Sequence, residues 1–156
     1  MKIAVSSDHR GRDVAEQIGR HLRELGHEVL ASMPSDGEPS DYPDKALEVG
    51  RAVANGQAEL GVLICGTGIG MSIAANKVAG VRAALVHDEL TAGLAKSHNN
   101  ANVLCLSGDL LGERKISAII DKWLETEFEG GRHERRVEKI KAIESGCKAQ
   151  GETAGT

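Results

Sequence analysis

The segment 60–70, LGVLICGTGIG, joins a cysteine to a glycine-rich loop. An apolar run ends at Cys65, and Gly66, Gly68 and Gly70 follow at alternate positions. A glycine loop that runs into a helix presents unpaired backbone N–H groups, which stabilise a phosphate or an oxyanion formed during a reaction. The same pattern is typical of a tight strand-to-helix connection with no chemical role. The motif alone leaves both interpretations open.

Cys65 is the residue of this segment that could move a proton. A lone cysteine is more often a small buried hydrophobic residue than a catalytic one. A thiol at the carboxyl end of a strand, beside the amides that begin a helix, is nevertheless suited to act as a base or nucleophile. Cys105, in the apolar run NVLCLSG, and Cys147, close to the carboxyl terminus, are interpreted as structural.

Asp8 and His9 end the first apolar run, KIAVSS, and form a second candidate pair. Histidine exchanges protons near neutral pH, which suits acid–base catalysis. The structural alternative is that Asp8 caps a helix that begins near Gly11.

His98 and Asn99 end a helical pattern in the segment SHNN, residues 97–100. We expect His98 to lie at the sheet edge that holds Cys65 and to transfer protons there. The alternative is a helix terminus with Asn in a left-handed conformation.

Arg132 and Arg136 lie four residues apart in GRHERR, with Arg135 beside them. This spacing puts the first two on one helix face. Such a face is usually solvated, but two guanidiniums also bind a phosphate monoester well.

Composition excludes several classes of function. A net charge of -4 and a single Trp, Tyr and Phe each make nucleic acid an unexpected partner. The amino terminus, MKIAVSSDHRG, turns polar too soon for a signal peptide or a membrane span, so we expect a cytoplasmic protein.

Three cysteines without a CxxC pair argue against a disulfide framework and a zinc site. The first turn lacks GxGxxG and the glycine loop lacks a Lys-Ser/Thr ending, which argues against NAD and ATP.

Apolar runs alternate with helical patterns along the chain. Five strands are predicted at 2–7, 27–33, 59–65, 81–87 and 102–108. Strands separated by helices pair in parallel, so we predict an α/β fold: a three-layer α/β/α sandwich with a five-stranded parallel, Rossmann-like sheet. A single domain over 1–146 is expected to end in a charged helix, and 147–156 to form a disordered tail.

Five motifs together resemble one family, over about residues 1–145. They are SDHRG at 7–11, SDYP at 40–43, ICGTGIGMSIAANK at 64–77, SHNNANVL at 97–104 and EGGRHERRV at 129–137. The family is ribose-5-phosphate isomerase type B, in the group that also contains galactose-6-phosphate and allose-6-phosphate isomerases.

The resemblance implies a metal-free and cofactor-free interconversion of ribose 5-phosphate and ribulose 5-phosphate through an enediol. It also implies a homodimer, or a tetramer, with active sites at the subunit interface. Position by position, Cys65 resembles the general base, Thr67 the hydroxyl that relays a proton, and Asp8 and His98 the ring-opening groups. The implied substrate-binding set comprises His9, Tyr42, Gly66, Gly68, Gly70, Asn99, Arg132 and Arg136.

Two positions depart from the family pattern. Met71 stands where some members carry a Glu base, so the cysteine-dependent version applies. Asp109 stands where many relatives have an Arg, and an acid there weakens anion binding unless it faces away or pairs with an arginine such as Arg114. The alternatives are therefore an isomerase of another sugar phosphate, such as erythrulose 4-phosphate, allose 6-phosphate or galactose 6-phosphate, or a non-catalytic sugar-phosphate-binding subunit.

Overall fold

The computed structural model describes residues 1–35 and 39–146, and its centre is one parallel β-sheet. The strands are β1 (Lys2–Ser7), β2 (Glu28–Ser32), β3 (Leu60–Cys65), β4 (Ala83–Leu85) and β5 (Val103–Ser107). Their order is β2-β1-β3-β5-β4, and every neighbouring pair is parallel. The predicted five-stranded parallel sheet is confirmed. Residues 147–156, predicted to form a tail, lie outside the described residues.

Six helices connect or follow the strands in the described part of the chain. They are α1 (Arg12–Glu24), α2 (Tyr42–Ala54), α3 (Ile69–Ala75), α4 (Glu89–Asn99), α5 (Glu113–Glu125) and α6 (Arg132–Glu144). None of these helices has the length and apolar character needed to cross a membrane.

The two faces of the sheet carry separate apolar cores. Successive side chains of a strand point to opposite faces, so Ile3 and Val5 pack with α1, α4 and α5, whereas Ala4 packs with α2 and α3. Trp123 of α5 is fully buried in the first core. The sheet is therefore covered on both sides, which confirms the predicted three-layer sandwich.

The central and edge strands differ in burial, as their positions require. All six residues of β3 and all five of β5 are buried. The edge strand β4 pairs with β5 alone and is only three residues long, shorter than the predicted 81–87. Arg82, just before it, instead donates from its backbone N–H to the side-chain oxygen of Asn102 at 2.7 Å.

Helix α4 has defined ends that fix its course. Asp88 caps its first turn by accepting a hydrogen bond from Thr91 N–H at 2.7 Å, and the Thr91 donors hold the pKa of Asp88 below its usual value. The helix ends at Asn100, whose φ of 46° and ψ of 44° are left-handed. The left-handed Asn that was the structural alternative for SHNN is thus present, directly after His98 and Asn99.

Candidate active site

Cys65 is the last residue of β3 and lies under the glycine loop. Its Sγ accepts a hydrogen bond from Gly68 N–H at 3.1 Å, and the residue is buried. Gly68 has a φ of 79°, and a Cβ there would lie 2.6 Å from Leu85 Cδ1 and 3.0 Å from the Leu106 backbone. Only glycine therefore allows the loop to turn this close to the sheet and direct its N–H at the sulfur.

Thr67 and Tyr42 border the same loop on its open side. Thr67 is exposed, and its Oγ1 accepts a hydrogen bond from Ile69 N–H at 3.3 Å. A Cβ at Gly70 would lie 2.6 Å from the Tyr42 ring, so the aromatic ring packs directly on the glycine backbone. The loop is thus bordered by an exposed hydroxyl and a phenol ring.

Asp8 and His9 join the first strand end to this region. Asp8 N–H donates to Ile64 O at 3.2 Å, and Asp8 Oδ1 accepts from the N–H groups of Arg10 and Gly11, each at 3.0 Å. Asp8 therefore caps the turn before α1 rather than the helix itself, whose N-cap is Gly11. The exposed His9 lies 3.3 Å through Nδ1 from Ser40 O, on the segment that leads to Tyr42.

These side chains form what we call the glycine-loop cluster: Asp8, His9, Tyr42, Cys65 and Thr67, with Gly66, Gly68 and Gly70. All of them lie at or beyond the carboxyl end of the sheet or on the segments packed there. In parallel α/β sheets this is the edge at which ligands bind.

Asp109, one of the two residues that depart from the family pattern, also lies at this edge. Its Oδ2 accepts a hydrogen bond from Arg10 Nη2 at 2.5 Å. Asp109 therefore pairs with an arginine, one of the alternatives that the sequence left open, but the arginine is Arg10 rather than the suggested Arg114. The turn after β5 directs Asp109 across the sheet edge to the turn after β1. Arg10 was missed as a site residue although it lies inside the SDHRG motif.

A second group of side chains surrounds the end of α4 and the start of α6. The rings of His98 and His133 stack with their centroids 4.1 Å apart and their planes 6° apart. Glu129 lies 3.9 Å from His98 Nε2 and 3.4 Å from His133 Nε2. Arg132 Nε donates to His133 Nε2 at 3.3 Å. We call this group, with the exposed Asn99 and Arg136, the histidine–arginine cluster.

His133 is the buried member of this cluster. Burial lowers its pKa below the usual value, and His98 and Arg132 lower it further, whereas Glu129 raises it. The imidazole therefore stays neutral near pH 7, which suits its acceptance of the Arg132 hydrogen bond. Sequence reasoning missed His133, but its place four residues before the buried Val137 was a usable signal.

His98, Glu129 and His133 each hold a potential metal-ligand atom within 4.8 Å of the others. A metal binds in the plane of each imidazole, along the nitrogen lone pair, so parallel stacked rings do not converge on one ion. Arg132 also approaches the lone pair of His133 Nε2 with a positive charge. The arrangement suits proton exchange better than metal binding.

The two clusters lie at opposite edges of the sheet in one chain. Helix α4 begins beyond the carboxyl end of β4 and, as a crossover helix, runs back antiparallel to the strands. Its end is fixed by Arg82, which precedes β4 and donates from Nε to Asn100 O at 2.9 Å. The expectation that His98 lies at the edge of Cys65 is therefore wrong within a single chain.

Cys105 differs from Cys65 in its chemistry. It is fully buried in β5, and burial raises its pKa far above the usual value, with Cys65 adding to the shift. It therefore remains a thiol at any physiological pH, as its structural interpretation predicted.

The sequence and the fold of the chain are similar to those of known sugar-phosphate isomerases. The Ribose/Galactose Isomerase family model matches residues 3–140. Ribose-5-phosphate isomerase B of Escherichia coli is 46% identical over 143 residues, 92% of this chain and 96% of the relative. D-erythrulose-4-phosphate isomerase of Pectobacterium atrosepticum is 41% identical over 141 residues, 90% and 93% of the two chains. The solved structure of Clostridium thermocellum ribose-5-phosphate isomerase B superposes with a TM-score of 0.92 at 44% identity, covering 94% of this chain and 99% of that one.

The family match spans most of the chain, and the relatives are similar over nearly their whole lengths. The residues of the glycine-loop cluster all fall inside the matched residues. The chain therefore belongs to the ribose/galactose isomerase family, within its ribose-5-phosphate isomerase B group.

Proposed function

We propose that the protein interconverts ribose 5-phosphate and ribulose 5-phosphate through an enediol, with Cys65 as the general base. The observation that carries the proposal is the 3.1 Å hydrogen bond from Gly68 N–H to Cys65 Sγ, which holds a thiol among backbone amides at the end of β3. The name of the E. coli relative, at 46% identity, supports the choice of substrate.

The reaction needs one proton moved between neighbouring carbons and one moved between their oxygens. Cys65 takes the proton from C2 of the open-chain aldose, and the C–H electrons form a C1–C2 double bond while O1 becomes an oxyanion. The backbone amides of residues 66–70 stabilise that charge. Thr67 passes a proton between O2 and O1, and Cys65 returns its proton to C1 to give the ketose.

Asp8 and His98 open the sugar ring in this scheme, as acid and base. His9, Arg132 and Arg136 bind the phosphate, and Tyr42 and Asn99 contact the sugar. The exposed side chains of Thr67 and Tyr42 lie beside the glycine loop, where both can contact a bound sugar.

We also propose a homodimer, and the separation of the two clusters supports it. Each active site would take the glycine-loop cluster from one subunit and the histidine–arginine cluster from the other, because one chain holds them at opposite edges. The exposure of Thr67, His9, Arg132 and Arg136 supports this arrangement, since each side chain is accessible to a second copy. A tetramer would be a pair of such dimers.

The direct test is proton NMR of ribose 5-phosphate with the enzyme in deuterated water. Wild type should produce ribulose 5-phosphate and carry deuterium into the position beside the carbonyl. Cys65→Ala should lower kcat by about a thousandfold while KM changes little, because a general base acts in the transition state.

Cys105→Ala is the matched control for this test. It removes a thiol from the neighbouring strand, so it should lower stability but retain turnover. A folded Cys65→Ala protein with wild-type kcat would remove the thiol from the mechanism.

A second candidate is isomerisation of another sugar phosphate, and D-erythrulose 4-phosphate is favoured by the 41% identical relative of that name. The Arg10–Asp109 pair beside the glycine loop, at the position where many relatives have an Arg, supports a changed substrate preference. In the same assay, a higher kcat/KM for a four- or six-carbon phosphate than for ribose 5-phosphate would establish it. Tight binding of sugar phosphates without deuterium exchange would instead indicate a non-catalytic binding subunit.

A further inference from the structure

An ion pair between Arg10 and Asp109 lies across the glycine loop. Arg10 Nη2 donates to Asp109 Oδ2 at 2.5 Å, although the residues are 99 positions apart. A Cβ at Gly66 would lie 2.9 Å from Asp109 Oδ2 and 3.1 Å from Arg10 Nε. The two side chains therefore cover the residue that directly follows Cys65.

Both side chains start from backbone that is tied to the site. Arg10 N–H donates to Asp8 Oδ1 at 3.0 Å, and Asp109 N–H donates to Gly66 O at 3.1 Å. The hydroxyl of Ser107 donates to the same Gly66 oxygen at 2.6 Å. The guanidinium is thus directed over the loop from one side and its carboxylate partner from the other.

The contact with Asp109 leaves most of the Arg10 guanidinium available. A guanidinium has five N–H donors in a planar fork, and the hydrogen bond to Asp109 uses a donor on Nη2. The Arg10 and Asp109 side chains are 60% and 38% exposed, so an incoming ligand can reach them. Ion pairs this exposed contribute little to stability, which leaves a role in binding as the better explanation of the pair.

The chemistry of the ligand follows from the donor geometry. A planar fork binds a phosphate oxygen pair more strongly than it binds a single carboxylate oxygen. Arg10 directly follows His9, which is also at this edge and is also proposed to bind phosphate. A free carboxylate at Asp109 would repel a phosphate, and Arg10 neutralises that charge.

We propose that Arg10 binds the phosphate group of the substrate, and that Asp109 is the positioning residue that holds its guanidinium over Gly66. This inference rests on the proposed function. The phosphate would then contact Arg10 of the subunit that supplies Cys65, in addition to the arginines of the histidine–arginine cluster from the other subunit.

The test is steady-state kinetics of the full-length protein with ribose 5-phosphate and with inorganic phosphate as a competitive inhibitor. Arg10→Gln should raise KM and the phosphate inhibition constant together, by about tenfold or more, and leave kcat within about threefold. Arg20→Gln makes the same charge change on the exposed face of α1 and should leave all three values unchanged.

The positioning role of Asp109 is tested by the effect of its substitutions on KM. Asp109→Ala should raise KM, and Asp109→Asn, which keeps an oxygen acceptor for Arg10, should restore it towards the wild-type value. In the Arg10→Gln background the sign should reverse: Asp109→Ala should lower KM, because it removes a carboxylate that no longer has its partner. Additive effects of the two substitutions would overturn the positioning role.

Two results separate this inference from the proposed function. An active wild type whose KM and phosphate inhibition are unchanged by Arg10→Gln would overturn the inference alone. A fall in kcat at constant KM would also overturn it, since it would put the guanidinium at the reacting carbons. If wild type isomerises no sugar phosphate, calorimetric titration with inorganic phosphate still decides: weaker binding by Arg10→Gln supports the inference, and equal binding overturns it.

Discussion

At the scale of single residues, the buried His133 makes the stability of the protein depend on pH. Its pKa is lowered by burial and by the nearby His98, Arg132 and Arg136, with Glu129 acting in the opposite direction. A histidine in the unfolded chain takes up a proton near pH 6.5, whereas His133 in the folded protein takes it up only at a lower pH because its pKa is lowered. The contribution of His133 to the free energy of unfolding should therefore be fully present above about pH 6.5 and be lost as the pH is lowered below it.

Urea denaturation followed by Trp123 fluorescence between pH 5 and 8 measures this effect. His133→Asn should lose less stability than wild type as the pH falls. The remaining histidines are common to both proteins, so the difference between the two curves reports the His133 site. A difference that does not vary with pH would show that His133 is as easily protonated in the folded protein as in the unfolded chain.

At the scale of elements, the turn between β3 and α3 depends on the glycine at position 68. Alanine there would have a strained positive φ and would also meet Leu85 and the Leu106 backbone. We expect Gly68→Ala to lower the free energy of unfolding by about 3 kcal/mol, the sum of backbone strain and overpacking. Activity should fall further, because the N–H that contacts Cys65 Sγ would move.

Gly56→Ala is the matched control for the turn. Gly56 has a φ of 72° with nothing within 4 Å of its Cβ position, so alanine should cost only the strain, about 1 kcal/mol. Chemical denaturation of both variants gives the comparison. If Gly68→Ala and Gly56→Ala lower the free energy of unfolding equally, the glycine loop moves away from β4 and β5 at no energetic cost.

At the scale of the whole molecule, the two clusters predict complementation between inactive subunits. Cys65→Ala removes the proposed base, and a double variant, Arg132→Ala with Arg136→Ala, removes the arginines proposed to bind phosphate. Each homodimer should have little activity, yet a mixed dimer contains one site with both intact clusters. After the two proteins are unfolded and refolded together, about one quarter of the sites should be intact, because half of the dimers are mixed.

The isomerase activity of the mixture, measured before and after the two variants are refolded together, checks this prediction. The oligomeric state is measured by light scattering. Each variant refolded alone is the control. Refolded mixtures that form dimers but recover no activity would show that each site draws on a single chain. A monomeric wild type with full activity would remove the shared site altogether.

The sequence alone determined the elements and the chemical residue types. Short apolar runs that alternate with helical spacing predict a parallel sheet, because hydrophobic periodicity is a local property of the chain. The left-handed Asn at the end of SHNN and the glycine loop after β3 follow from the same local rules. The glycine-loop cluster could also be anticipated, since the carboxyl ends of parallel strands meet at one edge.

Only the tertiary structure decided which distant side chains meet. Arg10 pairs with Asp109 across 99 residues, and His98 stacks on His133 because α6 packs against the end of α4. The same geometry separates His98 from Cys65 in one chain, since a crossover helix must return to the opposite edge of the sheet. Periodicity specifies what each segment forms, but contacts between segments depend on turn directions and helix packing, which no local pattern contains.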